Sequence, residues 1–291
     1  MGGRGSPAGE TREVPSDEEA AAAAQARQGG DVAYFLPRHE AEIDRLDVQH
    51  YALQERLGAN YLAPLEQPAR ILDVGCGTGL WAYELCEEFP DTLVVGLDLA
   101  PGRRPGPDTY RFVRANLLQG LPFADDSFDF VHQRALVSGV PVRSWQLVVQ
   151  DLVRVARPGG WVELVECPPW LESGRPVTAR LCGLLQQVVR AQGLDSEGIV
   201  FEGLDGHLRR AGLVDVGKRV VDLAVGEWGG RVGSLMATDC RALFMRLEPI
   251  FEATFRIPER ECRELVAAMQ QEWEERRSTY SFAIALGRKS G

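Results

Sequence analysis

The 291-residue sequence lacks any long hydrophobic run, and this absence argues against a protein that spans a membrane. No apolar stretch approaches the roughly 20 residues that a helix needs to cross a bilayer. The N-terminus also lacks the short apolar segment that is typical of a secretory signal peptide. We therefore expect a cytoplasmic protein with no membrane partner.

An excess of positive charge is missing as well. The chain has 32 Lys and Arg residues against 42 Asp and Glu residues, which gives a formal net charge of −10. A protein without a basic field has no general means of holding a phosphate backbone, so we expect no nucleic-acid partner. The hydrophobic fraction of 45% is ordinary for a globular protein that is built as one large domain or two small ones.

Cysteine and histidine are too few, and too scattered, to predict a metal site. The six cysteines include no C-x-x-C pair, and the four histidines show no ligand-like spacing. This usage favours reduced thiols over a disulfide framework or a zinc site. We therefore predict no metal, and candidates for a histidine base are few.

The most informative feature that is present is the stretch at residues 70–79, Arg-Ile-Leu-Asp-Val-Gly-Cys-Gly-Thr-Gly. Its apolar first half predicts a buried strand, and its second half predicts a tight turn. Three glycines alternate in that turn: Gly75, Gly77 and Gly79. Without a Cβ they allow positive φ and let a flat ligand approach the backbone. A helix is predicted directly after the turn, so we expect a nucleotide-like ligand at the start of that helix.

The spacing of these glycines separates two classes of ligand. A dinucleotide fingerprint, G-x-G-x-x-G, would need glycine at position 80, where the chain has Leu80. A second apolar strand, Thr92 to Leu97, ends in Asp98. A carboxylate at that position suits the two hydroxyl groups of a ribose. The competing interpretation is a glycine turn with only a structural role, and Asp98 weighs against it.

The first half of the remaining pattern alternates strands and helices. Strands are predicted near residues 69–74, 92–98, 110–114, 128–132 and 160–166. A helix is predicted over 145–156, with Ser144 as its N-cap and Pro158-Gly159-Gly160 at its end. Strands separated by helices in this way are typical of parallel βαβ units.

The second half adds more helices and two further strands. Helices are predicted near 177–192, 201–211, 234–254 and 258–277, and strands near 217–225 and 279–286. Seven strands with helices on both faces predict an α/β fold with a doubly wound, mostly parallel sheet.

Four stretches, taken in chain order, resemble the class I S-adenosylmethionine (SAM) dependent methyltransferases. The first two are the glycine turn from Asp73 to Gly79 and the carboxylate Asp98. The third is Asn116-Leu-Leu-Gln-Gly-Leu-Pro-Phe-Ala-Asp-Asp-Ser-Phe-Asp-Phe-Val131, and the fourth is Arg154-Val-Ala-Arg-Pro-Gly-Gly-Trp161. The resemblance implies a Rossmann-like sheet whose last strand inserts antiparallel beside the fifth.

The N-terminal segment resembles a lid of methyltransferases from bacterial and fungal secondary metabolism. It runs from Tyr34 through His50 and includes an amphipathic helix over 40–57. We therefore expect a disordered tail at 1–30, a helical lid at 31–66 and a methyltransferase domain at 67–291. Residues 231–277 would be a helical insertion that covers the active site.

The resemblance also implies a set of residues that bind SAM, and its product S-adenosylhomocysteine (SAH). They are Tyr34, Asp73, Gly75, Cys76, Gly77, Thr78, Gly79, Asp98, Leu99, Asn116, Leu117, His132 and Gln133. Asp73 would hold the ammonium end, and Asp98 would bind the ribose hydroxyls. Leu99 would lie against the adenine, and Asn116 would hydrogen-bond to its edge.

Three side chains are candidates for catalysis. His132 ends the fourth strand, where ligands bind in open α/β sheets, although a histidine bonded to backbone would look the same. Glu166 ends the fifth strand and could orient the substrate or accept a proton, or simply cap a neighbouring helix. His50 lies on the apolar face of the lid helix, where histidines are more often core residues.

The predicted function is methyl transfer from SAM to a small organic acceptor, a hydrophobic natural-product intermediate. Large apolar residues of the covering segments could form its pocket or belong to the core: Trp170, Trp228, Met236, Phe244, Met245 and Phe251. Two alternatives share the fold and the cofactor, namely a SAM-binding cyclase and a regulatory protein without methyl transfer. A third is an NAD-dependent oxidoreductase, against which Leu80 argues. A homo-oligomer through the N-terminal helices is also compatible with the pattern.

Overall fold

A seven-stranded sheet lies at the centre of the protein. The computed structural model describes residues 40–102 and 105–291. The strands are β1 (Arg70–Val74), β2 (Leu93–Asp98), β3 (Tyr110–Arg114), β4 (Phe128–Arg134), β5 (Ala156–Glu166), β6 (Leu213–Ala224) and β7 (Thr279–Lys289). Their order in the sheet is β3-β2-β1-β4-β5-β7-β6.

The pairing of the strands confirms the predicted fold class. Strands β1 to β5 pair in parallel, and β7 runs antiparallel to both β5 and β6. β1 is a central strand, and Ile71, Leu72 and Val74 in it are fully buried. Because helices cover both faces of a parallel sheet, such a strand is mostly apolar, and its buried polar residue, Asp73, contacts His132.

Helices pack on both faces of this sheet. They are α1 (Glu40–Leu57), α2 (Leu80–Glu88), α3 (Trp145–Val155), α4 (Pro176–Ala191), α5 (Ile199–Arg210), α6 (Gly230–Arg246), α7 (Glu248–Phe255) and α8 (Glu259–Arg276). α3 and α5 belong to the core on one face of the sheet, and α4 and α6 to α8 belong to a second core. α1 joins the second core through Ala52 and Leu53 and packs along α6.

Two local predictions were wrong. The helix predicted over 234–254 is two helices, α6 and α7, because Pro249 in the first turn of α7 has no N–H to continue the ladder of α6. Pro158-Gly159-Gly160 lie within β5, which already begins at Ala156, at an irregularity where Ala156 pairs with Phe128 and Trp161 pairs with Phe130. A Cβ at position 160 would lie 2.8 Å from the carbonyl oxygen of Asp129, so glycine allows β5 to approach β4 there.

The start of α3 agrees with the prediction only in position. Ser144 is the residue that precedes the helix, but its side chain makes no capping hydrogen bond. The predicted 1–30 tail and the first part of the predicted lid lie outside the described residues.

Candidate functional site

A cavity of about 270 Å³ opens at the carboxyl ends of β1, β2 and β4, and we call it the cleft. Six of the predicted cofactor residues line it: Gly75, Gly77, Asp98, Leu99, Asn116 and Leu117. Leu46 from α1 and Arg134 from the end of β4 complete its wall. The cleft therefore lies where open α/β sheets bind their ligands.

The glycine turn is hydrogen-bonded to the end of β2, and Gly75 in this turn is closely packed. The amides of Gly75 and Cys76 both donate to the carbonyl oxygen of Leu97, at 2.7 and 3.1 Å. Gly75 has a φ of 73°, and a Cβ there would lie 2.5 Å from a methyl group of Leu136. Only glycine combines this positive φ with this close approach, so the turn presents bare backbone to the cleft.

Asp98 is held at the edge of the cleft by three backbone amides. Its Oδ2 accepts from Gly77 N at 3.1 Å, and its Oδ1 accepts from Leu99 N at 2.6 Å and Ala100 N at 3.4 Å. These bonds tie the end of β2 to the glycine turn. A carboxylate fixed at the end of the second strand is suited to the hydroxyl groups of a ribose.

The far side of the cleft combines an amide with apolar walls. Asn116 Oδ1 accepts from Leu118 N at 3.0 Å and so caps the short turn after β3. Leu99 and Leu117 line the cleft beside it, and Leu99 is 39% exposed. A large apolar side chain exposed in a concave wall suits the face of an adenine ring.

Asp73 and His132 lie behind this surface and do not line the cleft. His132 Nδ1 is 3.0 Å from Asp73 Oδ1, and its ring stacks on Trp81 with 3.9 Å between the ring centroids. Burial lowers the pKa of His132, so the ring is neutral and donates its Nδ1 proton to Asp73. The structure thus places His132 where it orients Asp73, without access to an acceptor.

Four more of the predicted residues also lie outside the lining. Cys76 is buried with its Sγ 3.6 Å from Tyr110 Oη, and Gly79 is the N-cap residue of α2. Thr78 Oγ1 accepts from Leu80 N at 3.2 Å. Gln133 is fully buried and donates from Nε2 to Glu166 Oε1 at 3.2 Å. Tyr34 lies outside the described residues.

Glu166 is fully buried and organises a turn of the backbone. Its Oε1 accepts from Leu136 N and its Oε2 from Val137 N, each at 2.9 Å. Burial raises the pKa of Glu166 to about 7, against the effect of these hydrogen bonds. The carboxylate lines neither the cleft nor the cavity beside it, so its contacts are those of a residue that shapes the site.

A second cavity adjoins the cleft, and we call it the acceptor cavity. Leu46 and Ala135 line both. Ala135 has a φ of 55°, a conformation that costs energy in a residue other than glycine and that is concentrated at functional sites. The turn that follows β4 therefore forms the boundary between the two cavities.

The walls of the acceptor cavity are mostly apolar, with one buried ion pair. Its apolar lining includes Val137, Pro168, Pro169, Leu185, Val189 and Leu243. Arg45 Nη1 donates to Asp239 Oδ1 at 2.6 Å, and Gln49 Nε2 donates to Asp239 Oδ2 at 3.3 Å. These three residues also line the cavity and connect α1 to α6.

The large apolar residues that the sequence offered as a pocket are not part of this lining. Met236, Phe244 and Phe251 are at most 2% exposed and belong to the second core. For these three, the core interpretation is the one that the structure shows.

Sequence reasoning missed Arg134 and the contact that it makes with His50. Arg134 Nη2 is 3.1 Å from His50 Nδ1, and His50 Nε2 is 3.1 Å from Glu84 Oε2. Burial and the neighbouring guanidinium lower the pKa of His50 to about 3, so it is neutral. The sequence feature that could have identified Arg134 is its position at the carboxyl end of a parallel strand, two residues after His132.

Neither a metal centre nor a membrane-spanning helix occurs in the part of the chain that the structure describes. No group of three or more His, Cys, Asp or Glu side chains there could hold a metal ion. None of the helices described is long and apolar enough to cross a membrane.

The strand order, the glycine turn and the position of Asp98 agree with the resemblance to class I SAM-dependent methyltransferases. The strands place a glycine turn and a carboxylate around one cleft, with the last strand antiparallel beside the fifth. Residues 71–160 match the family described as "Methyltransferase domain". The similarity to a methyltransferase domain therefore covers residues 71–160 of the chain.

The curated relatives include methyltransferases and regulators of fungi. Methyltransferase str3 of Strobilurus tenacellus is 37% identical over 132 residues, which are 44% of this chain and 47% of the relative. The secondary metabolism regulator laeA of Coprinopsis cinerea is 37% identical over 46% of this chain and 35% of the relative. For these relatives the match spans about half of their length or less. N-methyltransferase sirN of Leptosphaeria maculans is 27% identical over 88% of this chain and 94% of the relative.

Solved structures share the fold at low identity. One is described as a putative methyltransferase from an antibiotic biosynthesis pathway of Anabaena variabilis, with a TM-score of 0.54 and 14% identity over 84% of this chain and 99% of that one. Another is a phosphoethanolamine N-methyltransferase of Haemonchus contortus in complex with S-adenosylhomocysteine, with a TM-score of 0.51 and 15% identity. It covers 95% of this chain and 58% of that one. These similarities support the Rossmann-like fold.

Proposed function

We propose that the protein transfers a methyl group from SAM to a small, largely apolar organic acceptor. The observation that carries this proposal is the pair of adjoining cavities, which share Leu46 and Ala135. One has the groups for an adenosyl cofactor, and the other has apolar walls. A sulfonium methyl at their boundary would face an acceptor in the second cavity.

The residues of the cleft fit the separate parts of SAM. Asp98 would accept hydrogen bonds from the ribose hydroxyls, and Leu99 and Leu117 would enclose the adenine, with Asn116 at its edge. Among the described residues, Arg134 is the cation in the lining, and it would bind the methionine carboxylate. Asp73 lies beneath the glycine turn and would attract the ammonium group through a water molecule.

The chemistry requires little more than alignment. SAM supplies an activated methyl group, and the transfer is an in-line displacement in which the acceptor atom attacks as the C–S bond breaks. The protein contributes proximity and orientation, and it excludes water through α1 and the turn after β4. Asp195 and Asp239 are the carboxylates that line the acceptor cavity among the described residues, and Asp239 is the one that we would test first as the base that removes a proton from an O–H or N–H acceptor.

The acceptor class follows from the lining and from the relatives. Mostly apolar walls with a few polar side chains, among them Arg45, Gln49 and Asp239, favour a hydrophobic natural-product intermediate with a nucleophilic heteroatom. Several relatives are named regulators of secondary metabolism, and sirN is named an N-methyltransferase. We therefore propose nitrogen as the first transfer atom to test.

A regulatory function is the second candidate. It is favoured by the laeA relatives, which are 36–37% identical over about 46% of this chain. One of them is named a protein-methionine methyltransferase. In that case the methyl group would go to a protein side chain.

Methyl-labelled SAM distinguishes these functions. The protein is incubated with labelled SAM and a panel of apolar amines and phenols, and label is counted separately in the organic extract and in protein. We expect label in an extracted product, and loss of that label in the Asp98→Ala variant. Asp91→Ala, an exposed site at the opposite end of β2, is the matched control and should retain activity. Label in protein alone would support the regulator, and acceptor turnover without label would support a cyclase.

A further inference from the structure

One helix contributes to both cavities and also contacts the cleft arginine. Leu46 of α1 lines both cavities, and Arg45 and Gln49 line the acceptor cavity. One residue further along, His50 reaches Arg134 in the wall of the cleft. These positions lie within two turns of α1. A displacement of α1 at His50 would therefore also move the residues of α1 that line the acceptor cavity.

The contact between His50 and Arg134 has a defined direction. A guanidinium can only donate, so Arg134 Nη2 donates to His50 Nδ1 at 3.1 Å. The remaining ring proton therefore lies on Nε2, which is 3.1 Å from Glu84 Oε2 on α2. Gln54, from the next turn of α1, donates to the same oxygen at 2.5 Å. His50 is 2% exposed and links α2, α1 and β4 through these contacts.

Arg134 keeps most of its hydrogen-bonding capacity for a ligand. Among the residues that the structure describes, its hydrogen bond to His50 is the one that it makes. A guanidinium has five N–H donors, and this one lines the cleft. Burial lowers the pKa of Arg134, and the negative charges of Asp73, Glu84 and Glu163 oppose that shift. A ligand carboxylate would satisfy the remaining donors in the paired geometry that arginine favours.

We propose that His50 is a positioning residue through which the carboxylate of the methyl donor fixes α1 and thereby organises the acceptor cavity. This inference rests on the proposed function, since it needs an adenosyl donor in the cleft. His50 holds Arg134 toward the donor, and the bound donor in turn holds Arg134 against His50. α1 then keeps Arg45 and Gln49 on Asp239, so the acceptor cavity is complete when the donor is bound.

Two ligands separate this proposal from a general structural role of His50. SAH carries the aminocarboxylate, whereas 5′-methylthioadenosine has the same adenosyl thioether without it. Their affinities are measured by titration calorimetry on the full chain. For His50→Leu we expect SAH to bind roughly tenfold more weakly, as for the loss of one charge-assisted hydrogen bond. Methylthioadenosine should bind within twofold of wild type.

Three further variants give the controls. His50→Asn restores an acceptor near the position of Nδ1, so it should recover most of the SAH affinity that His50→Leu loses. In the Arg134→Met background, His50→Leu should cause no additional loss, because its effect passes through Arg134. His207→Leu removes a half-buried histidine that contacts Gln146 outside both linings, and it should leave both affinities unchanged.

Hydrogen exchange tests the link to α1 directly. SAH should protect the amides of α1 in the wild type more than methylthioadenosine does, and His50→Leu should abolish this difference. Equal weakening of both ligands in His50→Leu, or undiminished SAH affinity, would overturn the proposal. A wild-type protein that binds neither ligand would instead contradict the proposed function, so the two failures are distinguishable.

Discussion

At the scale of single residues, Asp98 is the most informative test of the cleft. Its carboxylate is held by backbone amides of Gly77 and Leu99 and faces the position proposed for the ribose. Asp98→Ala should weaken SAM binding by about 1–3 kcal/mol, the cost of losing hydrogen bonds to a charged group. Titration calorimetry gives this value directly.

The control for this measurement uses the same substitution at a position just before the same strand. Asp91→Ala changes an exposed carboxylate that precedes β2 at its other end, and it should leave SAM affinity unchanged. If Asp98→Ala binds SAM as tightly as Asp91→Ala does, the ribose assignment is wrong.

His50 predicts a specific dependence of stability on pH. Burial and Arg134 lower its pKa to about 3 in the folded protein, whereas an unfolded chain leaves a histidine at its ordinary value of 6.5. Below pH 6.5 His50 is therefore protonated in the unfolded state and still neutral in the folded state. The free energy of unfolding consequently falls as pH falls. From pH 8 to pH 5 this contribution is about 2 kcal/mol, since each pKa unit corresponds to about 1.36 kcal/mol.

Comparison with a variant isolates this contribution from the other titrating groups. Urea unfolding of wild type and of His50→Asn is measured at pH 5 and pH 8. The wild type should lose about 2 kcal/mol more than the variant does over this interval. An equal loss in both proteins would show that His50 takes up its proton in the folded state as readily as in the unfolded one.

At the scale of secondary-structure elements, the contact between α1 and α6 depends on a buried ion pair. Arg45 and Asp239 are 7% and 1% exposed, and their side chains meet at 2.6 Å. Removal of one partner leaves the other charge buried, which costs about 3–5 kcal/mol. We expect a loss of this size for Arg45→Met in urea unfolding at pH 7.5.

The double variant Arg45→Met/Asp239→Leu tests whether that loss comes from the uncompensated charge. Replacement of a whole buried pair by apolar residues is often neutral, so the double variant should be more stable than Arg45→Met alone. If the two substitutions instead add their separate costs, the ion pair is not the interaction that holds α1 on α6.

The elements that could be predicted from the sequence are those whose pattern is local. β1 and β2 were predicted because a buried parallel strand is an uninterrupted apolar run bounded by glycine or a carboxylate. The break between α6 and α7 was missed although Pro249 marks it, since the apolar periodicity continues across it. The start of β5 was missed because Pro158 and Gly159 usually indicate a turn, whereas the pairing with β4 begins before them, at Ala156, and resumes after them, at Trp161.

The candidate site, like the secondary-structure elements, could be predicted only where its sequence pattern is local. Asp98 and the glycine turn carry their signal in neighbouring residues, and the structure brings them to one cleft. Arg134 and His50 are 84 positions apart in the sequence, and their contact arises from the packing of α1 on the sheet, which has no local signal. His132 was predicted at the ligand because it ends a strand, but its side chain turns toward Trp81 and Asp73.

At the scale of the whole molecule, the two cavities depend on parts of the chain that are far apart in sequence. The sheet provides the glycine turn and Asp98, α1 provides Leu46 and Gln49, and α6 provides Asp239. The division into a lid at 31–66 and a domain at 67–291 stays a prediction. So does a homo-oligomer through the N-terminal helices, which light scattering would test against the chain mass of 32.1 kDa.

Binding of the adenosyl ligand should therefore stabilise the whole fold. A ligand that binds the folded state raises the free energy of unfolding by about 2.7 kcal/mol at 100 times its Kd. For a chain of this size that corresponds to a rise in Tm of about 4 °C. We expect this rise with SAH, and none with NADH at the same concentration, because Leu80 stands where the dinucleotide fingerprint has glycine. Differential scanning calorimetry measures these Tm values. A rise in Tm with NADH and none with SAH would place the protein among the oxidoreductases instead.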